Sequence, residues 1–113
     1  MENGAIADGQ ITASSRWNVG HESYRARLHL QKGQLGSVGA WVAGANNLNQ
    51  GLQVDLGDQY TKVAQIATQG RNYFYLQWVT RYKLEYSDDG VTFQYFKDEQ
   101  GQAKVFQKMH GIF

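Results

Sequence analysis

The chain has 113 residues, 42% of them hydrophobic and 19% charged, with a net charge of +1, a composition that fits one globular domain and argues against a disordered chain. The absence of cysteine excludes a disulfide framework and a thiolate metal site, and His21, His29 and His110 lack metal-ligand spacing. No apolar run approaches the ~18 residues of a membrane-spanning helix, and no signal-peptide pattern opens the chain.

In chain order, "QITAS" (10–14) predicts a short strand. Residues 15–50 are rich in Gly, Asn and Ser without a sustained period, which predicts long loops with one helical turn. Loops of that length inside a small domain are usually functional. "GLQVDLG" (51–57) alternates Leu52, Val54 and Leu56 with Gln53 and Asp55, as a half-buried strand does. "KVAQIATQG" (62–70) is β-branched and small and predicts a further, more buried strand. "RYKLEYS" (81–87) and "VTFQYF" (91–96) both alternate and are joined by "SDDG", with Gly90 at the left-handed position of a hairpin loop. "AKVFQ" (103–107) predicts a last short strand, and the whole pattern points to an all-β sandwich or jelly roll.

One stretch breaks the pattern. "GRNYFYLQW" (70–78) gathers Tyr73, Phe74, Tyr75, Leu76 and Trp78 beside the turn formers Gly70 and Asn72. Basic charge brackets it: residues 61–83 carry Lys62, Arg71, Arg81 and Lys83 and no acid. Nothing supports catalysis, because there is no Gly-rich phosphate loop, nucleophile elbow or zinc spacing, and Asp88 and Asp89 belong to a turn. Aromatics among Lys and Arg also suit nucleic acid, but a net charge of +1 argues against it. Glu2, Asn3 and Asp8 offer oxygens to a calcium ion, although a solvated turn accounts for the same residues, so no cofactor is expected.

The pieces "MENGAIADGQITASS" (1–15), "RARLHL" (25–30), "GAW" (39–41), "LQVDLG" (52–57), "ATQGR" (67–71), "WVTRYKLEYSDDG" (78–90) and "KVFQ" (104–107) fall in the order and spacing of a discoidin domain, also called the coagulation factor V/VIII type C domain. The chain resembles that family over residues 1–107 of a single domain spanning 1–113, with 108–113 a divergent tail. The resemblance implies an antiparallel jelly-roll β-sandwich, discoidin-like and related to galactose-binding domains, that is an extracellular or cell-surface binding module of a larger secreted or membrane protein. Family domains usually carry a bracketing cysteine pair, and relatives place an aromatic residue where Gly51 stands. They also continue past "KVFQ" through further strands, whereas this chain reads "KMHGIF". The expectation is a domain lacking the family's last strands and able to form a homo-oligomer through the open edge.

The resemblance also implies that ligands meet loops at one end of the barrel. These fall at "SSRWNVGHESYR" (14–25), "QKGQLGSVG" (31–39) and "GRNYFYLQW" (70–78). The candidate ligand-binding residues are Trp17, Tyr24, Arg25, Arg71, Tyr73, Phe74, Tyr75 and Leu76. Trp17, flanked by Arg16 and Asn18, suits an interfacial anchor whose indole N–H stays wet. Trp41 and Trp78 read as packed, and Arg27 as a buried structural ion pair or backbone tether. The expected partner is an anionic membrane lipid or cell-surface glycan, with a cell-surface or matrix protein as the alternative.

Overall fold

The computed structural model describes residues 3–31, 33, 38–71 and 77–107. Every strand pair among them is antiparallel, and the only helical elements are two single 3-10 turns, at Asp8–Gln10 and Ser23–Arg25. The fold is all-β. Strand β1 (Ile11–Ala13) pairs with β2 (Leu52–Val54), with Ile11 opposite Val54 and Ala13 opposite Leu52. The ladder continues through Asp55 N–H donating to Gln10 O and Ser14 N–H donating to Gly51 O.

The run 81–87 changes partner half-way. Its first half, β3 (Arg81–Tyr82), pairs with β6 (Phe106–Gln107), and its second half, β4 (Glu85–Tyr86), pairs with β5 (Gln94–Tyr95). Phe96 N–H donating to Leu84 O and Lys104 N–H donating to Phe96 O stitch the two pairs together. Tyr82 stacks on Phe106 directly across the ladder, with ring centroids 5.1 Å apart, a cross-strand pair of the kind that stabilises sheets.

The hairpin between β4 and β5 follows its turn chemistry. Gly90 has φ +74°, a conformation open to glycine at no steric cost. Asp89 Oδ1 accepts from the Val91 and Thr92 N–H groups, both at 2.8 Å, and Ser87 Oγ accepts from Gly90 N–H. The Thr92 and Val91 amides, with the Ser87 hydroxyl donating to Asp89 Oδ1, hold the Asp89 carboxyl at about 2, against its ordinary 3.8.

The predicted strand at 62–70 is not one. Residues 61–70 form no ladder, and 61–67 are exposed. β-branched composition favours a pleated surface only where a partner strand supplies the pairing, and none of the described strands lies against this segment. The other predicted strands are present but shorter, because pairing in each ladder extends over two or three residues.

Ile11 is the one fully buried large side chain among the described residues. It sits where β1, β2 and the Ser23–Arg25 turn meet, and Ser23 Oγ donates to its carbonyl at 2.6 Å. The accessible surface is 8910 Å². A self-contained globule of 12.8 kDa exposes about 6,300 Å² by the usual size scaling, so about 2,600 Å² more is open here. Val79, Phe93, Tyr95, Phe96 and Val105 are among the apolar side chains that this leaves exposed.

Candidate functional site

The end of the β1–β2 ladder beyond Ala13 and Leu52 carries the first candidate loop. Past Ser14 the chain stays paired with the segment leading into β2: Trp17 N–H donates to Val42 O at 2.8 Å, and Gly44 N–H donates to Ser15 Oγ at 2.8 Å. The approach is close enough that a Cβ on Gly44 would stand 2.8 Å from Arg16 O. Trp41, read as packed, is half-buried and donates its indole N–H to Ser15 O at 2.9 Å.

Glu22 is the hub of this loop. Its carboxylate accepts from Gly20 N–H at 2.9 Å, from Arg25 Nε at 2.7 Å and from Arg16 Nη1 at 3.3 Å. The Gly20 amide and the Arg25 guanidinium hold it at about 2, far below its ordinary 4.5. With the base fixed, the tip stands out: Trp17 is 63% exposed and Val19 79%. Trp17 is therefore placed as an accessible side chain.

Arg25 is not. It is 7% exposed, held by Glu22 and set with its guanidinium carbon 5.1 Å from the centre of the half-buried Tyr24 ring. The reason lies in the 3-10 turn, whose three residues per turn put Glu22 and Arg25 on one face. Both Tyr24 and Arg25 belong to the support beneath the loop rather than to its tip. Sequence reasoning missed the Glu22 hub, although the "ESYR" spacing announces it. Arg27 is the structural pair expected, donating to Asp8 Oδ1 at 2.7 Å and to Ile6 O at 2.8 Å. That pair engages Asp8 Oδ1, and Asn3 Oδ1 accepts from Ala5 N–H, while Glu2, the third residue offered to calcium, lies outside the described residues.

Arg71 marks the base of the second loop. Its N–H donates to Gln77 O and its Nη1 to Gln77 Oε1, both at 2.8 Å, closing the segment between them like a drawstring. Tyr73, Phe74, Tyr75 and Leu76 lie outside the described residues, as does most of 31–39. The stems of the loops are nevertheless brought together. His21 is pushed below its ordinary value by burial and by the Arg71 guanidinium, with Arg25 adding and Glu22 opposing. His29, with a left-handed φ of 60°, donates its N–H to Gln69 Oε1 at 2.8 Å, tying the approach to 31–39 to the approach to 70–78. Trp78 is half-buried at the far stem.

Exposed apolar tips on a braced, basic base are geometry for contact with a surface, and no group of three or more His, Cys, Asp or Glu gathers among the described residues to hold a metal. The profile of the F5/8 type C domain matches residues 10–111. The chain belongs to that family. It is 44% identical to lactadherin of Rattus norvegicus over 114 residues, covering 95% of this chain and 25% of that protein. It is 44% identical over 115 residues to EGF-like repeat and discoidin I-like domain-containing protein 3 of Homo sapiens, covering 95% of this chain and 23% of that protein. With coagulation factor V of Sus scrofa it shares 40% over 118 residues, 99% of this chain and 5% of that protein. The chain thus spans a quarter or less of the length of these three relatives. Membership makes it a discoidin β-sandwich and a non-catalytic binding module.

Proposed function

We propose that this domain is an extracellular module that attaches its parent protein to an anionic phospholipid surface, using apolar loop tips for insertion and basic side chains for attraction. The exposed Trp17 and Val19 on a stem locked by Glu22 carry the reading. A convex apolar tip cannot bury itself on its own domain, whereas the interfacial zone of a bilayer accepts an indole and keeps its N–H wet. Arg16 and Arg71 supply attraction worth about 1 kcal/mol each near an anionic membrane. Tyr73, Phe74, Tyr75 and Leu76 extend the apolar surface in this proposal.

Co-sedimentation with vesicles tests it. Binding is expected to phosphatidylserine-containing vesicles and not to pure phosphatidylcholine, and to weaken as salt shortens the Debye length from ~8 Å at 0.15 M to ~3 Å at 1 M. Binding to a sulfated or sialylated glycan with none to vesicles would replace lipid by carbohydrate as the ligand.

A second reading, docking to protein or to another copy, is favoured by one observation. The surplus of about 2,600 Å² of open surface is of the order that one partner contributes to a large obligate interface, about 1,000–2,500 Å². Concentration-dependent mass in light scattering would support self-association, and a monodisperse monomer at all concentrations would remove it.

A further inference from the structure

The turn that carries Val19 is closed on a histidine. His21 N–H donates to Asn18 O at 3.1 Å, and the ring Nδ1 lies 2.5 Å from Asn18 Oδ1, so backbone and side chain clamp the same two residues. Between them Gly20 takes φ +99° and donates its N–H to Glu22. With Oδ1 as the acceptor, the neutral ring carries its proton on Nδ1, and acid adds a second proton at Nε2. Little in the loop can neutralise that added charge. Residues 14–25 hold one carboxylate, Glu22, against Arg16 and Arg25, and it is already shared between them, at 3.3 Å and 2.7 Å. A charged His21 would put three cations around one acid. Arg71, at the stem of the 70–78 loop, opposes the charge as well, and half-burial of the ring withdraws the water that would solvate it. The next acids along the chain in either direction, Asp8 and Asp55, flank the opposite end of the β1–β2 ladder, and Asp8 is paired with Arg27.

Resting on the reading of the domain as a lipid-binding module, we infer that the His21–Asn18 clamp is a pH-sensitive latch on the contact loop. Closed at neutral pH, it holds Trp17 and Val19 in place; in mild acid it opens, and the bound surface is released. The sign follows from the displacement of His21 below its ordinary 6.5. The closed turn binds the proton less well than the open one, so the latch is at full strength above pH 6.5 and is lost as the pH falls from there through the lowered value. One proton changes the closed-to-open ratio by at most about tenfold per pH unit. This range lies well above that in which Glu22, held at about 2, takes up its proton. A positive His21 without any opening would strengthen attraction to an anionic bilayer, so the direction of the response separates a latch from an added cation.

The chain has no cysteine, so Val19→Cys accepts a nitroxide spin label at that exposed position alone. Without any membrane, a mobile component in the label's spectrum is expected to grow as the pH falls from about 7.5 to about 5.5. The same label combined with His21→Gln, which keeps a donor for Asn18 and cannot be charged, is expected to show no such change. Vesicles of phosphatidylcholine containing phosphatidylserine should hold the unaltered chain less well at the acid end, by up to about tenfold per pH unit, and the His21→Gln chain equally well at both. A label whose mobility is independent of pH, or responds equally in His21→Gln, overturns the latch. Vesicle affinity that rises in acid overturns it too, since His21 would then act as an added cation. If the unaltered chain binds no such vesicles at neutral pH, the lipid reading falls, and the label alone decides whether the turn is a latch.

Discussion

Replacing Trp17 by serine separates a contact residue from a structural one. Trp17 is 63% exposed, so of a side chain offering about 250 Å² roughly 160 Å² is open to water. Complete burial of that area at about 25 cal/mol per Å² would contribute roughly 4 kcal/mol. An interfacial indole keeps one edge wet, and half of the area gives about 2 kcal/mol, or close to thirtyfold in vesicle affinity. Stability should change by no more than about 0.5 kcal/mol, because the described hydrogen bond of this residue is made by its backbone to Val42 O and serine retains it. The assay pairs vesicle co-sedimentation with urea denaturation of the same preparation. Wild-type affinity in the variant would refute the argument outright. A stability loss of several kcal/mol would refute it too, since the ring would then be part of the packing.

The remaining predictions concern what holds the tip in place. Ile11→Ala removes the one fully buried large side chain among the described residues and should cost about 2–5 kcal/mol in denaturant melts; a loss under 1 kcal/mol would show that the core lies elsewhere. Acid should loosen the Trp17 loop through Glu22. Its folded value of about 2 lies below the ordinary 4.5, so the stabilisation is full above pH 4.5 and is lost as the pH falls from there through 2. Amide exchange at Gly20, read across that range, should accelerate, and Glu22→Gln should flatten the dependence. Exchange that accelerates equally in Glu22→Gln would assign the acid response to another carboxyl, such as Asp89 of the hairpin, which is also held at about 2.

The elements that sequence reasoning placed well are those whose instructions are local. The β4–β5 hairpin is written in "SDDG", where Asp89 and Ser87 cap the turn and Gly90 takes the positive φ, and each of those bonds is present. The 62–70 segment failed for the opposite reason. Its composition suits a sheet, but a strand is a pairing, and the partner is not encoded in the segment itself. Arg25 shows a third case. Its charge made it a candidate for an anionic ligand; with Glu22 three residues earlier, it is half of an ion pair on one face of a 3-10 turn.

Little core is buried among the described residues, yet the loop end has a fixed geometry. Apolar burial contributes modestly here, with Ile11 at the junction of β1, β2 and the 3-10 turn. The loop end is braced by polar bonds of fixed geometry instead: Glu22 to Gly20 and Arg25, Ser15 to Gly44, Gln50 to Ser14 and Ser15, and Arg71 to Gln77. Such bonds give only about 1 kcal/mol each to stability, yet they fix direction, which apolar packing does not. A surface that binds through several weak tips needs direction more than depth, because each tip contributes only if the others are already in place. Weakening the brace should therefore reduce affinity by more than the brace contributes to stability, while trimming one tip should reduce affinity and leave stability untouched. On the proposed reading, that asymmetry between Glu22 and Trp17 is the expected signature of a site whose scaffold of hydrogen bonds sets direction and whose exposed side chains supply affinity.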